Sequence, residues 1–78
     1  MKEINPNESL DLKGVACPGN FVRAKIRLEQ IQAGQILEII LDDGDPIKNV
    51  PRAIREEGHE ILKVEKIHDK WKLFIRKT

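Results

Sequence analysis

Apolar positions along the chain follow two different periods. In two segments they recur every three or four residues, which is typical of amphipathic helices. Elsewhere they alternate with polar residues or form short runs, which is typical of strands. The order of these segments predicts a strand at 9–12, a helix at 18–32, a strand at 35–41, a second helix that ends before Gly58, and strands at 60–67 and 70–77.

The first helix is marked at both ends. Pro18 suits the first helical position, where its missing N–H costs nothing, and Gly34 suits the residue just past the end. Cys17 is then the N-cap. Val22 and Ile26 lie off the main apolar stripe, which consists of Phe21, Ala24, Leu28 and Ile31.

The second helix is predicted from Ile47, Val50 and Ile54. Proline removes a hydrogen bond from a helix interior, so Pro51 indicates either a start near Val50 or a kink there.

In the last strand, one buried face is predicted because Trp71, Leu73 and Ile75 alternate with Lys72, Phe74 and Arg76.

These elements predict an α/β (α+β) two-layer sandwich with the order βαβαββ. A right-handed first crossover makes the first two strands parallel. Both helices then cover one face of a mixed four-stranded sheet, and the last two strands form an antiparallel hairpin joined by His68 and Asp69.

The size and charge of the chain narrow the class of protein. Its 78 residues suit a flexible leader at 1–8 and a single domain at 9–78. The first residues contain no apolar run, and no stretch approaches a membrane span, so we expect a cytoplasmic protein without a membrane partner. A net charge of +1 and only three aromatic residues argue against direct nucleic-acid binding.

The chain has one cysteine, Cys17. A lone thiol excludes an internal disulfide and a thiolate-rich zinc site, and we expect no metal or cofactor. At a helix N-terminus a thiolate is favoured, and its pKa falls from about 8.5. Pro18 fixes the backbone, Gly19 leaves the sulfur unshielded, and the backbone N–H of Asn20 is placed to bond a capping atom. This spacing alone is equally compatible with a buried, unreactive cysteine.

Two other groups of polar residues are candidates for chemistry. The run from Asp42 to Asp45 is predicted at the same end of the sheet as Cys17, and we interpret it as a solvated turn that also caps the second helix. His59 is predicted at the opposite end. His68 is predicted at the Cys17 end but across intervening strands, so both histidines are interpreted as surface residues.

Several short motifs are spread along the chain from Ser9 to its C-terminus. They are Leu10-Asp11, Gly14, Cys17-Pro18, Gly34, Asp42-Asp43, Pro51 and Gly58-His59-Glu60. As a set, these motifs resemble the TusA-like (SirA-like) sulfur-carrier family. The family motif is Cys-Pro-x-Pro, and this chain differs from it at Asn20, where a backbone N–H replaces the proline.

The resemblance implies that Cys17 accepts sulfur as a persulfide and relays it by thiol exchange. The implied partners are a cysteine desulfurase or another sulfur donor protein, and an acceptor protein of a sulfur relay. The chain would then be a sulfurtransferase-type carrier rather than a free-standing turnover enzyme. Arg23, Lys25 and Arg27 are candidate docking residues. The alternative is a non-catalytic interaction or regulatory module in which Cys17 is a structural helix cap.

Overall fold

A computed structural model describes residues 5–16 and 19–78, and it confirms the predicted element order βαβαββ. Pro18 and Cys17, which is the predicted N-cap of the first helix, lie outside the described residues. The elements are β1 (Glu8–Asp11), α1 (Gly19–Gln30), β2 (Ile36–Asp42), α2 (Asp45–Glu56), β3 (Glu60–Ile67) and β4 (Lys70–Arg76).

The four strands form one mixed sheet in the order β1-β2-β4-β3. β1 and β2 are parallel, as predicted, and β4 is antiparallel to both of its neighbours. The sheet begins earlier than predicted, because Glu8 pairs with Leu37. Asn7 also exchanges two hydrogen bonds of 2.8 Å with Ile36. The last two residues of the predicted leader are therefore held at the sheet.

The core lies between the two helices and one face of the sheet. Along β2, Leu37, Ile39 and Leu41 point to this face and are 0% exposed. The predicted helix stripe is confirmed, because Ala24 and Leu28 pack into the same cluster. Burying a large aliphatic side chain of this kind contributes about 1.5–3 kcal/mol.

Of the two alternatives predicted for α2, the structure excludes a start near Val50. The helix begins at Asp45 rather than near Val50, so Pro51 lies inside it. Pro51 is buried together with Val50 and Ile54, and this burial offsets the hydrogen bond that proline cannot donate. Within residues 5–16 and 19–78, neither helix is long and apolar enough to cross a membrane.

The last strand is buried on more than the predicted face. Leu73 and Ile75 are fully buried, but Trp71 on the same face is only partly buried. Phe74 points to the other face and is still only 7% exposed. β4 is a central strand, so Phe74 has a cross-strand neighbour on each side, Glu38 and Lys63.

Candidate functional site

The segment between β1 and α1 leads to the cysteine that the sequence singles out. The residues on either side of Cys17 and Pro18 define the surroundings of this cysteine. Leu12 is 1% exposed and donates its backbone N–H to a β2 carbonyl at 2.9 Å. Gly14 has φ 77°, in the left-handed region that favours glycine, and the N–H of Val15 donates to the Leu12 carbonyl at 3.2 Å. A tight turn therefore precedes the cysteine.

Asp42, the last residue of β2, holds this turn in place. Its Oδ2 accepts the backbone N–H of Gly14 at 2.7 Å, and its Oδ1 lies 3.4 Å from the Nζ of Lys70. The hydrogen bond from Gly14, followed by the contact with Lys70, holds the pKa of Asp42 below its ordinary value. The turn before Cys17 is thus tied to both central strands of the sheet.

The acidic run after β2 does not cap α2 with a side chain, which corrects our interpretation of it. The N-cap is Gly44, with φ 96°, and no side-chain hydrogen bond caps this helix. Asp43 instead accepts the Nε1–H of Trp71 at 2.8 Å, and this bond is the main cause of its lowered pKa. Asp45 lies in the first turn of α2. The three aspartates of this run therefore differ in what they contact or in where they lie.

Two backbone donors in the first turn of α1 have acceptors within the described residues. The N–H of Asn20, which was predicted to be placed for a capping atom, donates to the Ala16 carbonyl at 3.1 Å. The N–H of Phe21 donates to the Oδ1 of Asn20 at 2.7 Å. Within the described ranges, the N–H of Gly19 has no acceptor. The first turn also contains no acidic residue, so no carboxylate of this helix offsets its positive end.

The side chain of Asn20 is the most unusual polar group near the site. It is 0% exposed, and its Nδ2 has no hydrogen-bond partner in the described part of the chain. The orientation of the amide follows from its network, because the neighbouring N–H of Phe21 is a donor and requires an oxygen opposite it. Most buried polar side-chain atoms are hydrogen-bonded, so this buried donor requires an explanation.

The three predicted docking residues differ in how they are paired. The Nζ of Lys25 lies 2.9 Å from Glu57, whose hydrogen bond and charge raise the pKa of Lys25. Arg27 pairs with Glu8 at 3.0 Å. Arg23 makes no ion pair with any residue that the structure describes. Among the described residues, Arg23 is therefore the one cation of the three without an acidic partner.

Arg23 also borders an apolar part of the α1 surface. Val22 is 46% exposed and Ile26 is 50% exposed, which is high for large hydrophobic residues. An open groove of about 250 Å³ runs beside Ile26 between α1 and the edge strand, and its lining includes Leu10, Arg23 and Gln30. The sequence left the positions of Val22 and Ile26 open, and the structure places both at the surface.

The histidines lie at the predicted ends of the sheet. His59 is at the end away from the Gly14 turn, where its Nδ1 accepts the N–H of Thr78 at 3.4 Å. His68 lies in the β3–β4 turn, at the end where Asp42 pairs with Lys70. The strands β2 and β4 separate it from β1, as predicted, and it lines an open groove of about 280 Å³ together with Lys13.

Sequence reasoning missed the contacts of Asp42 and Lys70. Asp42 carried a usable signal, because it ends a buried strand parallel to the one that leads to Cys17, and ligands gather at such strand ends. Lys70 carried no comparable signal. Its position depends on the antiparallel register of β4 with β2, which pairs it with Asp42.

Comparison with known proteins gives the same family throughout. The profile of the family described as "Sulfurtransferase TusA" matches residues 8–77. A candidate sulfur carrier protein from Archaeoglobus fulgidus is 42% identical over 77 residues, which cover 97% of this chain and 88% of the relative. The candidate sulfur carrier protein YedF from Escherichia coli is 34% identical over 65 residues, which cover 83% of this chain and 84% of the relative.

A solved structure supports the fold independently. The crystal structure of a SirA-like protein from Desulfitobacterium hafniense superposes with a TM-score of 0.76 at 23% identity. The match covers 88% of this chain and 95% of that protein. Since the family profile spans almost the whole chain and agrees with these relatives, the chain belongs to the TusA family of sulfurtransferases.

Proposed function

We propose that this chain carries sulfur as a persulfide on Cys17 and relays it between proteins. The thiolate of Cys17 attacks the outer sulfur of a donor persulfide, such as that of a cysteine desulfurase. A new S–S bond forms on Cys17 as the donor S–S bond breaks, and the donor cysteine leaves as a thiolate. An acceptor thiolate then attacks the same outer sulfur and releases Cys17 as a thiolate. The sulfur keeps its oxidation state throughout, so the relay needs no external oxidant or reductant.

The main support is the first turn of α1, together with the family assignment. This turn follows Cys17 within two residues and contains no acidic residue. The positive end of a helix dipole stabilises a nearby anion, and the thiolate is the nucleophilic form of cysteine. Asp42 supports the same reading, because its bond to Gly14 fixes the turn from which Cys17 extends.

Sulfur loading tests this proposal directly. The protein is incubated with a cysteine desulfurase and free cysteine, and its intact mass is then measured by mass spectrometry. We expect one additional sulfur on the native chain and none on Cys17→Ser, since the chain has no other cysteine. A native chain that stays unmodified beside a persulfide-loaded desulfurase would contradict the proposal and favour the alternative of an interaction module with a structural cysteine.

We further propose that the surface around Arg23 docks an acidic partner. Arg23 is the unpaired cation of the three candidates within the described residues, and Val22 and Ile26 beside it expose apolar surface. Lys25 and Arg27 are already paired with acidic residues of this chain. Charge complementarity raises the rate of association more than it changes affinity.

Charge reversal separates docking from chemistry. We expect Arg23→Glu to slow loading by the desulfurase about tenfold, because long-range steering is reversed. Alkylation of Cys17 by a small neutral reagent should be affected far less. Arg55→Glu, in the last turn of α2, is the matched control. Equal loading rates for the two variants would rule out this docking surface.

A further inference from the structure

One side of α2 carries a straight row of cations. Lys48, Arg52 and Arg55 are all exposed, and their spacing of four and then three residues places them on one side of the helix. At a rise of about 1.5 Å per residue, the row is about 10 Å long. Within residues 5–16 and 19–78, none of its three members makes an ion pair. We call these three residues the α2 row.

The α2 row lies on the side of the helix away from α1. Glu57, the C-cap of α2, pairs with Lys25 of α1 at 2.9 Å, so Glu57 marks the side that faces α1. It follows Lys48 by nine positions, or about two and a half helical turns, so these two residues lie on opposite sides of α2. The α2 row therefore borders β3, the edge strand that packs against this helix.

The strand β3 extends this basic surface. Val64 and Lys66 pair across the sheet with Leu73 and Trp71, so they point to the helix side of the sheet. Val64 is 42% exposed, and the Nζ of Lys66 lies 5.4 Å from the centre of the Trp71 ring. The surface thus combines four cations with an exposed apolar side chain.

The carboxylate of Asp43 senses the same concentration of positive charge. Its pKa is lowered mainly by the hydrogen bond from Trp71, and the charges of Lys66 and Lys48 lower it further. Lys48 on α2 and Lys66 on β3 therefore lie near one carboxylate, which Trp71 already engages. The net charge of the chain is only +1, so this concentration of cations is a local feature.

The shape and surroundings of the α2 row favour a helix of a protein partner. The row is one residue wide, and the carboxylates of Asp45 and Glu56 on the same helix would repel a second line of negative charge. A nucleic-acid backbone needs a broader basic surface than this. A partner helix with carboxylates at the same spacing, laid alongside α2, places one carboxylate opposite each cation.

We propose that the α2 row docks an acidic helix of the protein that accepts sulfur from this chain. Arg23, the residue proposed to dock the sulfur donor, lines the groove beside β1 on the other side of the helical layer. Donor and acceptor would thus bind to different residues of the carrier. Val64 supplies apolar contact beside the ion pairs. This inference rests on the proposed relay of sulfur through Cys17.

Binding of a synthetic peptide tests the docking without sulfur chemistry. The probe is a helical peptide with glutamates at positions i, i+4 and i+7, and its glutamine counterpart is the reference. We expect the acidic peptide to bind more tightly than the reference, and to bind Arg52→Glu about tenfold more weakly than the native chain. Lys72→Glu is the matched control, because it changes the net charge equally on the other face of the sheet. Equal losses in the two variants would overturn the inference.

The position of the bound peptide is measured on the native chain, so it does not depend on how a variant folds. We expect NMR amide signals to shift along α2 and at residues 64–66 of β3. Shifts centred on Arg23 and the β1 edge would overturn the inference, because the peptide would then occupy a different surface.

Sulfur transfer separates the acceptor from the donor. With a cysteine at the end of a flexible glycine linker, the acidic peptide becomes a thiol acceptor for the persulfide-loaded protein. We expect Arg52→Glu to be loaded by the desulfurase at the native rate and to discharge to this peptide about tenfold more slowly. Slower loading with unchanged discharge would overturn the inference, since the α2 row would then serve the donor. A native chain that gains no sulfur would contradict the persulfide proposal, whereas the peptide binding would still decide the docking.

Discussion

The two helices begin at the same end of the sheet, but their first turns differ in charge. β1 and β2 are parallel, so the chain leaves both strands at one edge. The first turn of α2 follows Gly44 and contains Asp45. The first turn of α1 contains no acidic residue, and its buried polar residue is the neutral Asn20.

This difference indicates what each helix start can do. A carboxylate in the first turn offsets the partial positive charge there, so α2 needs no anion from elsewhere. α1 has no such carboxylate in its first turn. In the proposed function that anion is the thiolate of Cys17, or its persulfide after loading.

The acidic residues between β2 and α2 add to the contrast. Asp42 bonds Gly14 and Lys70, whereas Asp43 bonds Trp71. Each carboxylate is thereby engaged by a donor. The segment that precedes α2 thus holds the turn that precedes α1. The charges of its carboxylates are partly neutralised by these contacts.

The strongest test makes the start of α1 resemble that of α2. Gly19→Asp places a carboxylate in the first turn of α1. A side chain fits there, because a Cβ would lie 3.6 Å from the Cγ1 of Val15, an ordinary contact. A nearby like charge disfavours the thiolate, so we expect the pKa of Cys17 to rise by about one unit and its alkylation at neutral pH to slow about tenfold.

Gly19→Asn is the matched control, since it has the same shape without the charge. We expect its alkylation profile to stay close to that of the native chain. The carboxylate of Gly19→Asp should not lower thermal stability, because acidic residues are favourable in a first helical turn. If both variants alkylated like the native chain, the missing carboxylate at this helix start would have no bearing on sulfur chemistry.

Local periodicity was enough to predict most of the fold. The stripe containing Ala24 and Leu28, the parallel β1–β2 pair and the final hairpin all follow from patterns that are read within one or two elements. The pattern left two alternatives for α2, a start near Val50 or a kink there, and a helix that begins at Asp45 excludes the first. The start stayed open because the cost of Pro51 was judged locally, whereas the structure buries this proline beside Val50 and Ile54, which depends on tertiary packing.

The sequence predicted only those features of the candidate site that depend on residue type and local order. The lone cysteine before a helix could be read from the chain. That the N–H of Asn20 is taken by Ala16 could not, because it depends on the backbone path of the first turn. The bond from Gly14 to Asp42 joins residues 28 positions apart, so it depends on the assembled sheet.

A smaller effect, on stability, is expected when Asp42 is replaced. Its carboxylate lies just before α2 and holds the turn before α1. Its pKa lies below the ordinary value of about 3.9, mainly because the ionised carboxylate accepts the Gly14 N–H. A carboxylate with a lowered folded-state pKa contributes stability above the ordinary value and loses it as pH falls through the lowered value. The free energy of unfolding of Asp42→Asn should therefore lie below that of the native chain at neutral pH, and the gap should close in acid.

The amide proton of Gly14 reports the same titration from the other side of the bond. In the native chain its NMR shift should change with a midpoint below the ordinary aspartate value, and Asp42→Asn should abolish that change. Asp45→Asn removes a carboxylate of the same loop from the first turn of α2 and should preserve the midpoint. The opposite result, in which Asp45→Asn abolished the change and Asp42→Asn did not, would contradict the prediction. The titration seen at Gly14 would then come from the carboxylate at the start of α2 and not from Asp42.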